Sequence, residues 1–223
     1  MRTLIRSMSA VGLALTLGAG HLFAQAPGNG NFQWYIGGQG GVTFFKTPDQ
    51  GRSGIPTFGG HTLIVAKRTG LMLSFDEAVG DNEQTSYTDA SGVQPVTFND
   101  IRRYSAVLMA FPIRAAAQPY LGVGYGIIHV VNPTPLSGFQ SDANELGSSG
   151  FGTFVGGLQF QVGRFMAFGQ YQITTSGSQK TVTDADGNPV AFGRLLDGPT
   201  HTFSGGLRIG LGSAREDVRA GGY

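Results

Sequence analysis

The chain has 223 residues, 37 of them glycine, with a formal charge of +1 and no cysteine. The near-neutral balance excludes the concentrated basic face that nucleic acid requires. The missing thiols exclude both a disulfide framework and a thiolate metal site. Charged residues make up 13%, against about 25% in ordinary soluble domains, so the surface is poor in charge.

At the start, Arg2 and Arg6 precede an apolar run from Val11 to Ala19 and then small residues. This is the layout of a secretory leader, expected over residues 1–24 with cleavage after Ala24. The apolar run is shorter than the roughly 20 residues a spanning helix needs. The remainder is expected to form one domain over residues 25–211 and a short periplasmic tail over residues 212–223.

Beyond the leader, alternation with period two dominates, the signature of strands with two unlike faces. Eight strands are predicted, at about residues 32–46, 56–67, 70–77, 98–112, 119–131, 150–162, 164–175 and 200–211. In the first, Trp34, Ile36, Val42 and Phe44 oppose Gln33, Gln39 and Thr43. In the second and fourth both parities fit, so their faces stay open. The fifth, "PYLGVGYGIIHVV", carries Gly122, Gly124 and Gly126 opposite Leu121, Val123, Tyr125 and Ile127. A dinucleotide fingerprint would need glycine where Ile127 stands, and a helix after it, so these glycines belong to a strand face. The sixth sets Phe154, Leu158, Phe160 and Val162 against Thr153, Gly157, Gln159 and Gln161. The seventh sets Phe165, Ala167, Tyr171 and Ile173 against Met166, Phe168, Gln170 and Gln172. In the eighth, Phe203, Gly205, Leu207, Ile209 and Leu211 oppose Thr202, Ser204, Gly206, Arg208 and Gly210.

The connections alternate in length. The second, fourth and sixth are short, whereas the others are longer and polar, the largest at roughly 78–97 and 176–199. Short turns on one side and longer loops on the other mark a meander fixed across a boundary. A soluble barrel of lipocalin type keeps apolar residues inside, and a membrane barrel turns them outward. The polar face here holds Gln, Thr, Ser and Gly with few charges, which suits a narrow lumen better than a water-exposed surface. Trp34, Phe44, Tyr125 and Phe203 fall toward the ends of their apolar faces, as in an interfacial girdle. The predicted fold class is therefore all-β: an eight-stranded antiparallel up-and-down transmembrane β-barrel, monomeric, with outer-membrane lipid as its surroundings.

On "PYLGVGYG", "GGLQFQVGRFMAFGQYQ" and the last strand "SGGLRIGL", the chain resembles the small outer-membrane β-barrel proteins of the OmpA/OmpX type, over about residues 32–211. The resemblance implies an outer-membrane location and a structural or surface-interaction role: envelope integrity, adhesion or small-ligand contact. It also implies handling by the barrel-assembly machinery through a terminal-strand signal, with Ser204, Gly206, Ile209 and Leu211 at its positions. That family favours aromatics where Ile209 and Leu211 stand, and it ends there, whereas this chain continues.

Candidates for chemistry are few, and no cofactor is expected. His201 and Ser204 invite comparison with lipid hydrolases, but residues three apart on a strand face opposite sides. His61 and His129 are isolated, with no metal spacing. Asp184, Asp186 and Asn188 resemble part of a calcium loop without its distal Glu. "TDASGVQPVTF" and "TDADGNPVAF" share T-D-A-x-G, which predicts two hairpins continuing the strands, with Asp and Gly making each turn. Arg102 and Arg103 must face opposite sides, which predicts a lumen ion pair between Asp76 and an arginine, Arg103 if that one points inward, with Arg208 lower in the lumen. The alternatives to a non-enzymatic membrane barrel are a soluble exported barrel binding a lipid-like ligand and an outer-membrane lipid-modifying enzyme.

Overall fold

The computed structural model describes residues 32–113 and 117–214. The expected leader over residues 1–24 lies outside the described residues, as does the tail expected over residues 212–223 except for its first three positions, which belong to the last strand. Eight long strands form the wall: β1 (Phe32–Phe45), β2 (Ser53–Ala66), β3 (Thr69–Asp89), β4 (Gly92–Ala110), β5 (Ala117–Val131), β7 (Ser148–Val162), β8 (Phe165–Thr174) and β11 (Thr200–Ala214). Smaller elements lie in the loops: β6 (Thr134–Pro135), the helix α1 (Gln140–Leu146), β9 (Lys180–Thr183) and β10 (Pro189–Gly193).

Each wall strand pairs antiparallel with the next, and β11 pairs with β1, so the sheet closes on itself. A register line leaving β1 at Val42 passes Phe203, Tyr171, Gly156, Leu121, Ala110, Thr69 and Ala66 before returning to β1 at Phe32. Such a stagger means tilted strands, which closure demands. Closure also removes the exposed edges that an open sheet of this length would present.

The short connections are tight turns at Lys67–Arg68 and Gly163–Arg164, with a φ of 54° at Lys67 and 62° at Gly163. They share one end of the cylinder, here the turn end, and the opposite end carries the loops. At the loop end, β3 and β4 overrun their predicted limits and pair through Asp89↔Gly92. Asp89 Oδ1 accepts the Ser91 N–H at 2.7 Å, and Gly92 takes a φ of 117°. The second hairpin repeats the device: Asp184 Oδ1 accepts the N–H groups of Asp186 at 3.0 Å and Asn188 at 2.8 Å, with Gly187 at a φ of 84°. This second hairpin does not continue β8 and β11 as expected. It leans across the mouth, and β10 adds to the tip of β3 through Ala191↔Asp89 and Phe192↔Thr88.

Candidate functional site

The wall has two unlike faces. Leu121, Val123, Tyr125 and Ile127 are 53–66% exposed on the outside of β5, and Tyr120, between them and the turn end, is buried inside. Arg208 is fully buried, whereas its neighbours Leu207 and Ile209 are 58% and 41% exposed. Phe154 and Phe160 face out, and Thr153 and Gln159 face in. The faces left open in the sequence are now assigned. On β2, Ile55, Thr57, His61 and Leu63 point inward, and on β4 Ile101, Arg103, Ser105, Val107 and Met109 do so.

Each wall strand contributes one outward ring to a belt: Phe44, Phe58, Phe75, Tyr104, Tyr125, Phe154, Tyr171 and Phe203. Phe75 and Tyr104 are direct cross-strand partners with centroids 5.1 Å apart, and Tyr171 and Phe203 are partners at 4.8 Å. Trp34 lies near the turn end beside Gly163 and Arg164. His201 faces out and meets the Tyr171 hydroxyl at 2.6 Å, whereas the Ser204 hydroxyl is buried on the inner face. The two do not share a site, as strand geometry requires.

The lumen is packed in layers. Toward the loop end, Arg103 and Asp76 stand directly opposite on β4 and β3, each 2% exposed, with Nη2 3.8 Å from Oδ2. Arg103 Nη1 donates to Thr202 Oγ1 at 2.7 Å, and Thr202, Thr43 and Thr57 form a hydroxyl chain. Gln39 donates to the other Asp76 oxygen. A side chain at Gly59 would sit 2.2 Å from that oxygen, so the glycine reserves the carboxylate's space. Toward the turn end, Arg208 Nε donates to His61 Nε2 at 2.8 Å and Nη1 to Gln159 Oε1 at 2.7 Å. Its guanidinium lies 4.0 Å from the Phe168 centroid, a desolvated cation–π contact. Gln170 joins the layers, donating to Gln39 at 3.4 Å and accepting from the Tyr120 hydroxyl at 3.1 Å. The structure thus brings Asp76 to Arg103 and leaves Arg208 with neutral acceptors and rings.

Apolar clusters bound this polar middle on both sides. Leu63, Met72, Val107, Met109, Phe111 and Met166 pack at the turn end. At the loop end Leu146 and Ala143 of α1, Val182 of β9, Ala191 of β10 and Leu195 pack on Phe98, Ile128 and Phe151. Glycines let the inner face close: a Cβ at Gly124 would lie 2.2 Å from the Ala106 carbonyl oxygen, and one at Gly206 would lie 2.1 Å from that of Gly38. Of the terminal-strand positions, Ser204 and Gly206 face inward, and Ile209 and Leu211 project from the outer wall.

Among the described residues no group of three or more His, Cys, Asp or Glu is placed to hold a metal ion. Asp184 turns its oxygens onto its own loop, and these hydrogen bonds from Asn188 and Asp186 hold its carboxyl below the usual range.

No protein-family model and no curated protein matches this chain. Among solved structures, Neisserial surface protein A is similar, at 9% identity over 79% of this chain and 96% of that one, with a TM-score of 0.50. The outer membrane protein OprG from Pseudomonas aeruginosa is 12% identical over 82% of this chain and 98% of that one, also with a TM-score of 0.50. At these identities the likeness concerns fold: the chain is built as small eight-stranded outer-membrane β-barrels are.

Proposed function

We propose that this protein is an integral outer-membrane β-barrel with a structural or surface-interaction role, non-catalytic, and no wide pore. The observation that carries this reading is the inverted wall, with rings and aliphatic side chains outside and amides, hydroxyls and paired charges inside. In water, a continuous apolar band around a cylinder would far exceed the few hundred Å² that monomers usually expose. In lipid it is the required surface, and a closed sheet leaves no backbone group unpaired there. The apolar clusters flanking the polar lumen support a packed interior over a diffusion pathway.

In this reading the leader exports the chain, and β11 presents Ser204, Gly206, Ile209 and Leu211 to the assembly machinery. The loop end faces outward from the cell. Adhesion, envelope integrity or small-ligand contact would fall to the loops around 78–97, 132–149 and 176–199.

The test is a heat-dependent gel shift on membranes extracted in stages. Release only by detergent, with faster migration of the unheated band, is the expected outcome. Release by salt alone would favour the soluble barrel.

A further inference from the structure

Charge is divided unevenly along the barrel axis. The turn-side parts of the wall, residues 32–38, 62–75, 104–113, 117–125, 155–169 and 205–214, contain no Asp or Glu. They hold four cations: Arg208 in the lumen, Lys67 and Arg68 at one turn, and Arg164 at another. At the Arg164 turn, β11 runs on past the start of β8, and the Gly210 N–H donates to the Arg164 carbonyl at 2.9 Å. β1 pairs Trp34 with Gly212 and Tyr35 with Gly210, so Leu211 is bulged out of register. A bulge disrupts the ladder locally and re-aims the side chains beside it. The result is a notch at the turn-side rim, lined by Gln33, Trp34, Gln161, Arg164 and Gly212. A Cβ at Gly163 or Gly212 would meet nothing within 4 Å, so the notch is open to its surroundings. The next outward row toward the loop end is Ile36, Ile209 and Phe165, three directly opposed side chains on the lipid-facing wall.

We propose that this notch binds the headgroup of an anionic phospholipid, phosphatidylglycerol. The site rests on the membrane reading above, which turns this end toward the periplasm and the phospholipid leaflet. Among the described residues Arg164 has no carboxylate within ion-pair distance, so its guanidinium donors are open to an anion. A guanidinium takes phosphate oxygens two at a time. The Tyr35 hydroxyl donates to Gln33 Oε1 at 2.9 Å, which leaves the Gln33 amide NH2 as a further donor. Gln161 donates its own Nε2 to the Gly163 carbonyl at 3.2 Å, which leaves its Oε1 to accept a glycerol hydroxyl. The indole of Trp34 joins an apolar body to one N–H donor, a combination suited to the boundary between acyl chains and headgroups. Ethanolamine or choline would bring a second positive charge to a rim that carries cations and no carboxylate. Glycerol leaves the phosphate as a net anion and adds hydroxyl donors. The acyl chains would lie over Ile36, Ile209 and Phe165.

The experiment uses Trp34, the sole tryptophan, as a reporter inside the notch. The refolded full barrel is placed in vesicles of equal phosphatidylglycerol, phosphatidylethanolamine and phosphatidylcholine, with one lipid at a time carrying brominated acyl chains. Brominated phosphatidylglycerol should quench Trp34 well beyond its share of the bilayer, a local preference of about tenfold, the worth of one charge-assisted hydrogen bond. Arg164→Gln should bring the three lipids level, with the heat-dependent gel shift intact as proof of folding. Arg68→Gln, at the turn between β2 and β3, should keep most of the preference. Equal quenching by all three lipids in wild type, or an undiminished preference in folded Arg164→Gln, would overturn the proposal. Equal losses from Arg68→Gln and Arg164→Gln would overturn it too, by making the attraction a property of the whole rim. Failure of the wild-type barrel to insert into vesicles would instead remove the membrane reading beneath it.

Discussion

Removing the Asp76 carboxylate should be among the most damaging single changes in the lumen. Asp76 and Arg103 are each 2% exposed, so neither charge has water to fall back on. In Asp76→Ala, Arg103 keeps its bond to Thr202 and loses the counter-charge that faces it, and Gln39 loses an acceptor. Breaking a buried pair from one side costs about 3–5 kcal/mol. That is roughly a hundredfold to a few thousandfold in the folding equilibrium. The assay is urea unfolding of the barrel in lipid vesicles, followed through Trp34, the sole tryptophan. With a slope of about 1–3 kcal/mol per molar urea, the midpoint should fall by about 1 M or more. Replacing both partners by leucine should recover much of the loss, since an apolar pair of similar volume is often neutral. An unchanged midpoint in Asp76→Ala would refute the reasoning.

Three further outcomes are expected from the same geometry. Gly124→Ala should destabilise strongly, because its Cβ would meet a carbonyl oxygen at 2.2 Å, whereas Gly169→Ala, with nothing within 4 Å, should leave the urea midpoint near wild type. Tyr87, buried in the loop-end cap with its hydroxyl on the Phe139 carbonyl, has its pKa raised above 10.0, chiefly by burial. The folded state holds that proton more tightly, so the contribution is complete below about pH 10 and is lost as pH rises through the folded value. Limited proteolysis of the cap should therefore begin at higher pH in Tyr87→Phe than in wild type. Amide exchange through residues 181–192 should be slowed, and Asp184→Ala should abolish protection at Asn188; random-coil exchange there in wild type would contradict the hairpin.

Much of the wall was legible because lipid outside and amides inside leave a strong period-two signal, as in β7, β8 and β11. The signal failed on β2 and β4 for a physical reason. Near the turn end Leu63 and Ile64, or Val107 and Leu108, are apolar neighbours facing the inner cluster and the outer wall respectively. Where both sides are greasy, alternation vanishes. The Asp76–Arg103 contact was approachable from the turn at Asp89–Gly92, but a strict hairpin register would set Asp76 against Ser105. An irregularity between Val79 and Glu83, with Asn82 at a φ of 54°, shifts the pairing by two residues and delivers Arg103. The notch between Trp34 and Arg164 depends on the bulge at Leu211 and on the closure of β11 against β1, neither of which one strand encodes alone. The lean of β9 and β10 onto β3 joins segments distant in sequence, and neither hairpin's residues encode it.

The direct measurement of the inverted wall uses the absence of cysteine. Single substitutions Val123→Cys, Leu207→Cys and Gln170→Cys are folded in vesicles containing brominated lipid and treated with a fluorescent thiol label. Labels at 123 and 207 should be quenched by the lipid and shielded from aqueous iodide, while the thiol at 170 stays unreactive until the barrel is unfolded. Labels at 123 and 207 that iodide reaches freely and bromine does not would contradict a lipid-facing wall.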